Sequence, residues 1–126
     1  YVDDLKVAIS IAVSDEETDL AVGTSNVTFR MPYAMTLTEV RASLNRAPGG
    51  STLIVDINDT ASTVLSTKLS IDIGEKTSTT ASTPAVISDT ALADDAEITI
   101  DIDQIGSSDA GKGLKVTLIG TRAIAV

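Results

Sequence analysis

Apolar and polar residues alternate in short runs along this chain, a period of two that marks strands with one buried and one wetter face. In Lys6 to Ser14, Val7, Ile9, Ile11 and Val13 share one side, and Ala8, Ser10 and Ala12 take the other. Asn26 to Met31 repeats the pattern with Val27 and Phe29 inward, and Leu37 to Leu44 sets Leu37, Glu39, Arg41 and Ser43 against Val40, Ala42 and Leu44. Leu53, Val55 and Ile57 alternate with Ile54, Asp56 and Asn58. The polar stretch Asn58 to Ser62 then leads into a strand expected over Thr63 to Ile73, and the two read as a hairpin. Ala85 to Ile87 is a short strand. The sharpest alternation is Ile98-Thr99-Ile100-Asp101-Ile102-Asp103, which the loop Gly106 to Gly113 joins to Leu114 to Ile119 as a final hairpin.

Turn formers punctuate these runs. Ala47-Pro48-Gly49-Gly50-Ser51 and Gly74-Glu75-Lys76 supply preset and positive φ values, as tight loops require. The Ser/Thr-rich Thr77 to Thr83 is expected to run extended at the surface because β-branched residues favour that geometry, and Ala91 to Asp95 to form one helical or 3₁₀ turn. Pro32 has no N–H for a ladder and biases Met31 away from helix. Arg30-Met31-Pro32-Tyr33 is therefore a corner between sheets, with Phe29 anchoring the strand end, Tyr33 lying across the bend and Arg30 facing out toward an acidic neighbour or a second subunit.

No segment carries a sustained helical repeat, so the fold class is all-β. About eight strands predict a single β-sandwich of jelly-roll or Greek-key type. Residues 6–123 form the domain, 1–5 a linker or the end of an upstream segment, and 124–126 an apolar tail. The start at Tyr1 fits a fragment or a processed chain.

The net charge of -9 removes the basic patch that nucleic acid or an anionic membrane surface would need, and no run of ~18 apolar residues spans a membrane. Zero His and zero Cys remove the commonest general base, the commonest transition-metal ligand and all thiolate chemistry. These absences argue against an enzyme, and no catalytic, cofactor or metal residue is assigned. Asp101 and Asp103 project to one face as a glycosidase pair does, but alternation alone places them on the solvent side of an amphipathic strand. Asp15-Glu16-Glu17-Thr18-Asp19 and Asp56-Ile57-Asn58-Asp59 are rich in oxygens without the spaced, glycine-containing calcium pattern, and read as solvated loops.

Aromatics amount to 2% of the chain, namely Tyr1, Phe29 and Tyr33, so a glycan site would be built from Asp, Asn, Thr and Arg or between subunits. No ligand-binding residue is assigned. Ala8, Ala12, Ile54, Ile119 and Ile124 stand on faces that should be wet, which suggests a covered subunit interface.

The segments VTFRMPYAMTLTEVRASL, STLIVDIN, VLSTKLSID, GEKTSTTA, VISDTALADDAEITIDIDQIG and GLKVTLIGTR together resemble the C-terminal β-sandwich domain of tailed-bacteriophage tail-fibre-like and other minor virion structural proteins. The resemblance spans roughly Val7 to Arg122. It implies a module of the virion surface, a homotrimer that tips a fibre in host adsorption or decorates the capsid or tail as cement, with no catalytic residues and no cofactor. Its implied partners are copies of itself, other virion proteins and a host-surface polysaccharide or protein. Loops Ala47 to Ser51, Asn58 to Ser62 and Gly106 to Gly113 are the segments expected to face the ligand. Outside that resemblance stands the reading of a cellular carbohydrate-binding or adhesive module, which the poverty of aromatics disfavours.

Overall fold

The computed structural model describes residues 4–123, so the tail 124–126, and Ile124 with it, lies outside the described residues. Eleven strands follow one another: β1 (Asp4–Ala12), β2 (Gly23–Arg30), β3 (Met35–Ser43), β4 (Leu53–Asp59), β5 (Ser62–Thr63), β6 (Leu65–Thr67), β7 (Leu69–Ile71), β8 (Val86–Ile87), β9 (Ala91–Leu92), β10 (Glu97–Gln104) and β11 (Lys115–Ala123). All pairings between them are antiparallel. Among the described residues there is no α-helix, so the chain is all-β. One sheet runs β1-β11-β3-β9, a second runs β2-β10-β4-β5 with β7 also on β4, and β6 and β8 form a small ribbon. One core draws on both large sheets: Leu37, Val40, Val116 and Leu118 from the first, and Leu53, Val55, Ile57, Ile98, Ile100 and Ile102 from the second.

Pro32 stands at a crossing between sheets. β2 ends at Arg30 in the second sheet and β3 starts at Met35 in the first. Met31 fixes the corner: its side chain is buried, its N–H donates to the Ala96 carbonyl at 3.0 Å and its carbonyl accepts from Asp95 N–H at 2.9 Å. Arg30 faces out to Glu97 at 3.5 Å, and Arg122 stacks on the Tyr33 ring 4.1 Å from its centroid.

Several sequence expectations are corrected. Thr63 to Ile73 is three short strands rather than one. Val64 and Leu65 are both buried, which a period of two forbids on a flat strand; the chain leaves β4 there and pairs Leu65 to Thr67 with β8 before returning at Leu69. The expected final hairpin is a crossover. β10 lies between β2 and β4, and β11 between β1 and β3, so each has both edges taken by other strands. The connection between them is longer than the ~2–5 residues of a hairpin loop.

Leu37 also changes face. Alternation groups it with Glu39 and Arg41, yet it is buried alongside Val40 and Ala42. A β-bulge at Thr38, where Ile119 pairs Glu39 but Gly120 pairs Leu37, inserts one residue and shifts the phase of the strand. Gly120 permits the close approach at this bulge: a Cβ there would collide with the Thr36 carbonyl oxygen.

Ala91-Leu92 is strand β9, with Leu92 buried opposite Met35, and the turn follows it at Ala93 to Ala96 with Asp95 at φ 64. The 3₁₀ turn falls instead at Ser78–Thr80, inside the stretch expected to be extended. There the Thr77 hydroxyl accepts from Thr79 N–H, a local side-chain bond of the kind that competes with extended geometry.

Candidate functional site

Two places gather chemistry-bearing groups: the outer face of the second sheet, and a groove beside β3.

On the second sheet Asp101 of β10 lies directly opposite Asp56 of β4, with Asn58 and Lys68 beside them. Like charges facing each other across a ladder repel, so each carboxylate needs donors. Asp101 takes Ser25 N–H at 2.7 Å and the Asn58 amide at 3.0 Å. Asp56, 7% exposed, takes the Thr63 hydroxyl at 2.5 Å and Ile57 N–H at 2.9 Å. Lys68 donates to Asp103 at 2.5 Å and stands 3.9 Å from Asp56. Its ammonium is held above its ordinary pKa, first by the Asp103 hydrogen bond, which outweighs the cost of burial, and then by the attraction of Asp103, Asp56 and Asp101. Asp101 and Asp103 thus serve separate structural partners, and Asp56, opposite Asp101 across the ladder, is a buried strand residue rather than part of a solvated loop. Its burial follows from the pairing of β4 with β10, which strand periodicity leaves open.

The acidic loop is tied down in the same way. Asp15 accepts from the Thr18 N–H and hydroxyl, and Glu16 from Lys115 and Asn45. The Lys115 hydrogen bond, with smaller help from its charge and from Asn45, holds the Glu16 carboxyl below the usual range. Among the described residues no group of three acidic or thiol side chains is placed to hold a metal ion.

The loops expected to face a ligand differ among themselves. Ala47 to Ser51 and Gly106 to Gly113 are bound to each other: Gly49 N–H donates to the Asp109 carbonyl at 2.9 Å, Ser108 N–H donates back to Gly49 at 3.0 Å, and Arg46 grips the Asp109 carboxylate at 2.6 Å. Asn58 to Ser62 is the β4–β5 hairpin turn, with Thr60 and Ala61 at φ 50 and 69. Of the residues proposed to cover an interface, Ala8 and Ala12 are exposed, and Ile54 and Ile119 are half-buried.

The groove was not foreseen, because it arises from an unpaired stretch of β3 rather than from a motif. β9 covers only Met35 and Thr36, and at the other end Ala42 N–H donates to the Ser78 hydroxyl at 2.8 Å. Between these points Thr38 to Arg41 border an open groove of about 760 Å³. Alternation sends the Val40 peptide the same way as that of Ala42, so its N–H and C=O point into the groove, where no described residue takes them. Pro84, Val86 and Ile87 form the facing wall, with Thr79 and Thr90 at its two ends. Glu39 and Arg41 make a two-bond ion pair on the rim, at 2.5 and 3.4 Å. That contact lowers the Glu39 pKa and raises that of Arg41, the hydrogen bond being the larger cause in each. An apolar wall, an open peptide edge, hydroxyls and a fixed carboxylate–guanidinium pair can together hold a ligand that carries both hydroxyl and C–H faces. No protein-family model, curated protein or solved structure matches the chain.

Proposed function

We propose that this chain is a non-enzymatic structural module of a bacteriophage virion, a fibre or surface domain for host adsorption, folded as a β-sandwich of jelly-roll or Greek-key type and exposed on the particle. The observation that carries the ligand-binding part is the groove beside β3: an unpaired peptide edge and a preformed Glu39–Arg41 pair stand opposite Pro84 and Val86, which is 51% exposed. A saccharide of the host surface suits this mixture, its hydroxyls bonding the ion pair and the Val40 peptide and its C–H face resting on the apolar wall, as an aromatic platform would otherwise allow. Repeated copies on one particle would convert weak single contacts into avidity. The phage-protein resemblance over Val7 to Arg122 supports the setting.

The test is binding to an array of bacterial surface polysaccharides. Wild type should be retained on at least one, Val86→Asp should lose retention and Arg41→Ala should weaken it, with far-UV circular dichroism unchanged in both. Equal retention by all three proteins removes the groove from the reading. A second role, capsid or tail cement, is favoured by the exposed outer row Ala8 and Ala12 on β1; hundreds of copies per particle together with no retention on any polysaccharide would select it.

A further inference from the structure

Sheet edges present unpaired N–H and C=O groups, and proteins blunt them with very short strands, bulges and kinks. Four of the five outermost strands of the two large sheets are treated that way. β5 and β9 have two residues each and β7 three. β2 kinks at Ser25, whose φ is 50 and whose N–H is taken by Asp101. β1 is the exception. It runs nine residues without Pro, Gly or bulge, keeps one uninterrupted register with β11, and has no described strand on its other side. Its core-facing row is also only partly covered: Val7, Ile9 and Ile11 are half-buried, and Leu5 is 51% exposed.

We propose that β1 is a homotypic assembly strand, by which two copies of this chain pair β1 to β1 antiparallel about a two-fold axis at Ala8. The occupant follows from self-complementarity, which an isologous contact demands. Centring on Ala8 pairs all of Asp4–Ala12. Leu5 meets the partner's Ile11 and Val7 meets the partner's Ile9, so apolar residues meet on the core side. Lys6 meets Ser10, and Asp4 meets Ala12, beside which Lys115 stands in the same sheet. No like charges face each other, and the partly covered row of each copy adjoins that of the other. The backbone also fits. Val13 N–H donates to Leu114, so odd-numbered N–H groups point to β11 and those of Lys6, Ala8 and Ser10 point outward.

Two substitutions at Ala8 test this without touching the core, because its side chain is exposed and its N–H is not used by β11. Ala8→Lys places like charges opposite each other at the axis, and Ala8→Pro removes the outward N–H. In sedimentation equilibrium wild type should show a species of twice the monomer mass. Ala8→Lys should raise the dissociation constant roughly fivefold and Ala8→Pro at least roughly tenfold, with the far-UV spectrum retained. Ala8→Lys makes the chain less acidic, so relief of general charge repulsion would move its constant the other way. A wild type that stays monomeric at roughly 100 µM, a species of three times the monomer mass, or a dimer that both variants leave intact would each overturn the proposal. Polysaccharide retention is read separately, so either idea can fail alone.

Discussion

Replacing Gly120 by alanine adds one methyl group at the point where β11 and β3 slip register. That carbon would overlap the Thr36 carbonyl oxygen and come within 2.7 Å of the Met35 Cε. Neither neighbour has an easy way out. Thr36 belongs to β3 and pairs on both sides, with Thr121 and Ala91, and Met35 is 3% exposed. Overpacking of a filled core costs about 1–3 kcal/mol, and the lower entropy of the unfolded alanine chain returns about 0.5–1 kcal/mol. Because a backbone oxygen must move, the upper part of that range applies, and a net loss of about 2 kcal/mol is expected. At roughly 3–5 °C per kcal/mol for a domain of this size, Tm should fall by roughly 6–10 °C. Gly74→Ala is the matched control: its φ is +79 with no atom within 4 Å, so it bears only the left-handed strain of about 1 kcal/mol. With no Trp in the chain, urea unfolding is best followed by far-UV circular dichroism. A Gly120→Ala protein as stable as wild type, or a Gly74→Ala protein that loses more, would refute the close-approach argument.

Thr63→Val keeps the shape of the side chain but withdraws the hydroxyl from buried Asp56, and should cost about 1–3 kcal/mol in urea unfolding; a loss below about 0.5 kcal/mol would mean Asp56 is satisfied without it. The β4–β5 turn holds two non-glycine residues at positive φ, so Thr60→Asn with Ala61→Gly should stabilise by about 1 kcal/mol, and an unchanged midpoint would show that the turn is not strained. Glu16 and Asp109 have folded pKa values below their ordinary 4.5 and 3.8, chiefly through hydrogen bonds from Lys115 and Arg46, which lie far away in sequence. The stability they contribute is present above those ordinary values and is lost as pH falls through the folded ones. Tm should therefore drop below about pH 4.5, and less steeply in a Glu16→Gln, Asp109→Asn double variant; parallel curves would dismiss the two pairs as the cause.

Strict alternation carried the apolar rows of β4 and β10. Val55, Ile57, Ile98, Ile100 and Ile102 are all buried as their spacing requires. The departures share one cause, namely that a neighbour rather than the local run decides. The bulge at Thr38 depends on Gly120, more than eighty positions later. The sheet of each strand depends on which edges are still free, so β10 and β11 read locally as a hairpin and pair elsewhere. The Pro32 corner was legible because proline acts through its own backbone. The groove was not, because an unpaired edge is the absence of a neighbour, and no residue within Thr38 to Arg41 records it.

The pairing of Asp4 with Ala123 places the first and last described residues side by side, with β11 as the strand that joins β1 to β3. Synthesis proceeds from the N-terminus, so β1 and β3 wait without a common neighbour until β11 has been made. Closure of the first sheet is then a late, long-range event, which predicts slow folding for a domain of this length. It also leaves the β1 edge and its apolar row exposed in partly made chains, where crowded copies could pair too early. The same strand that would pair two finished copies is the one the growing chain must protect.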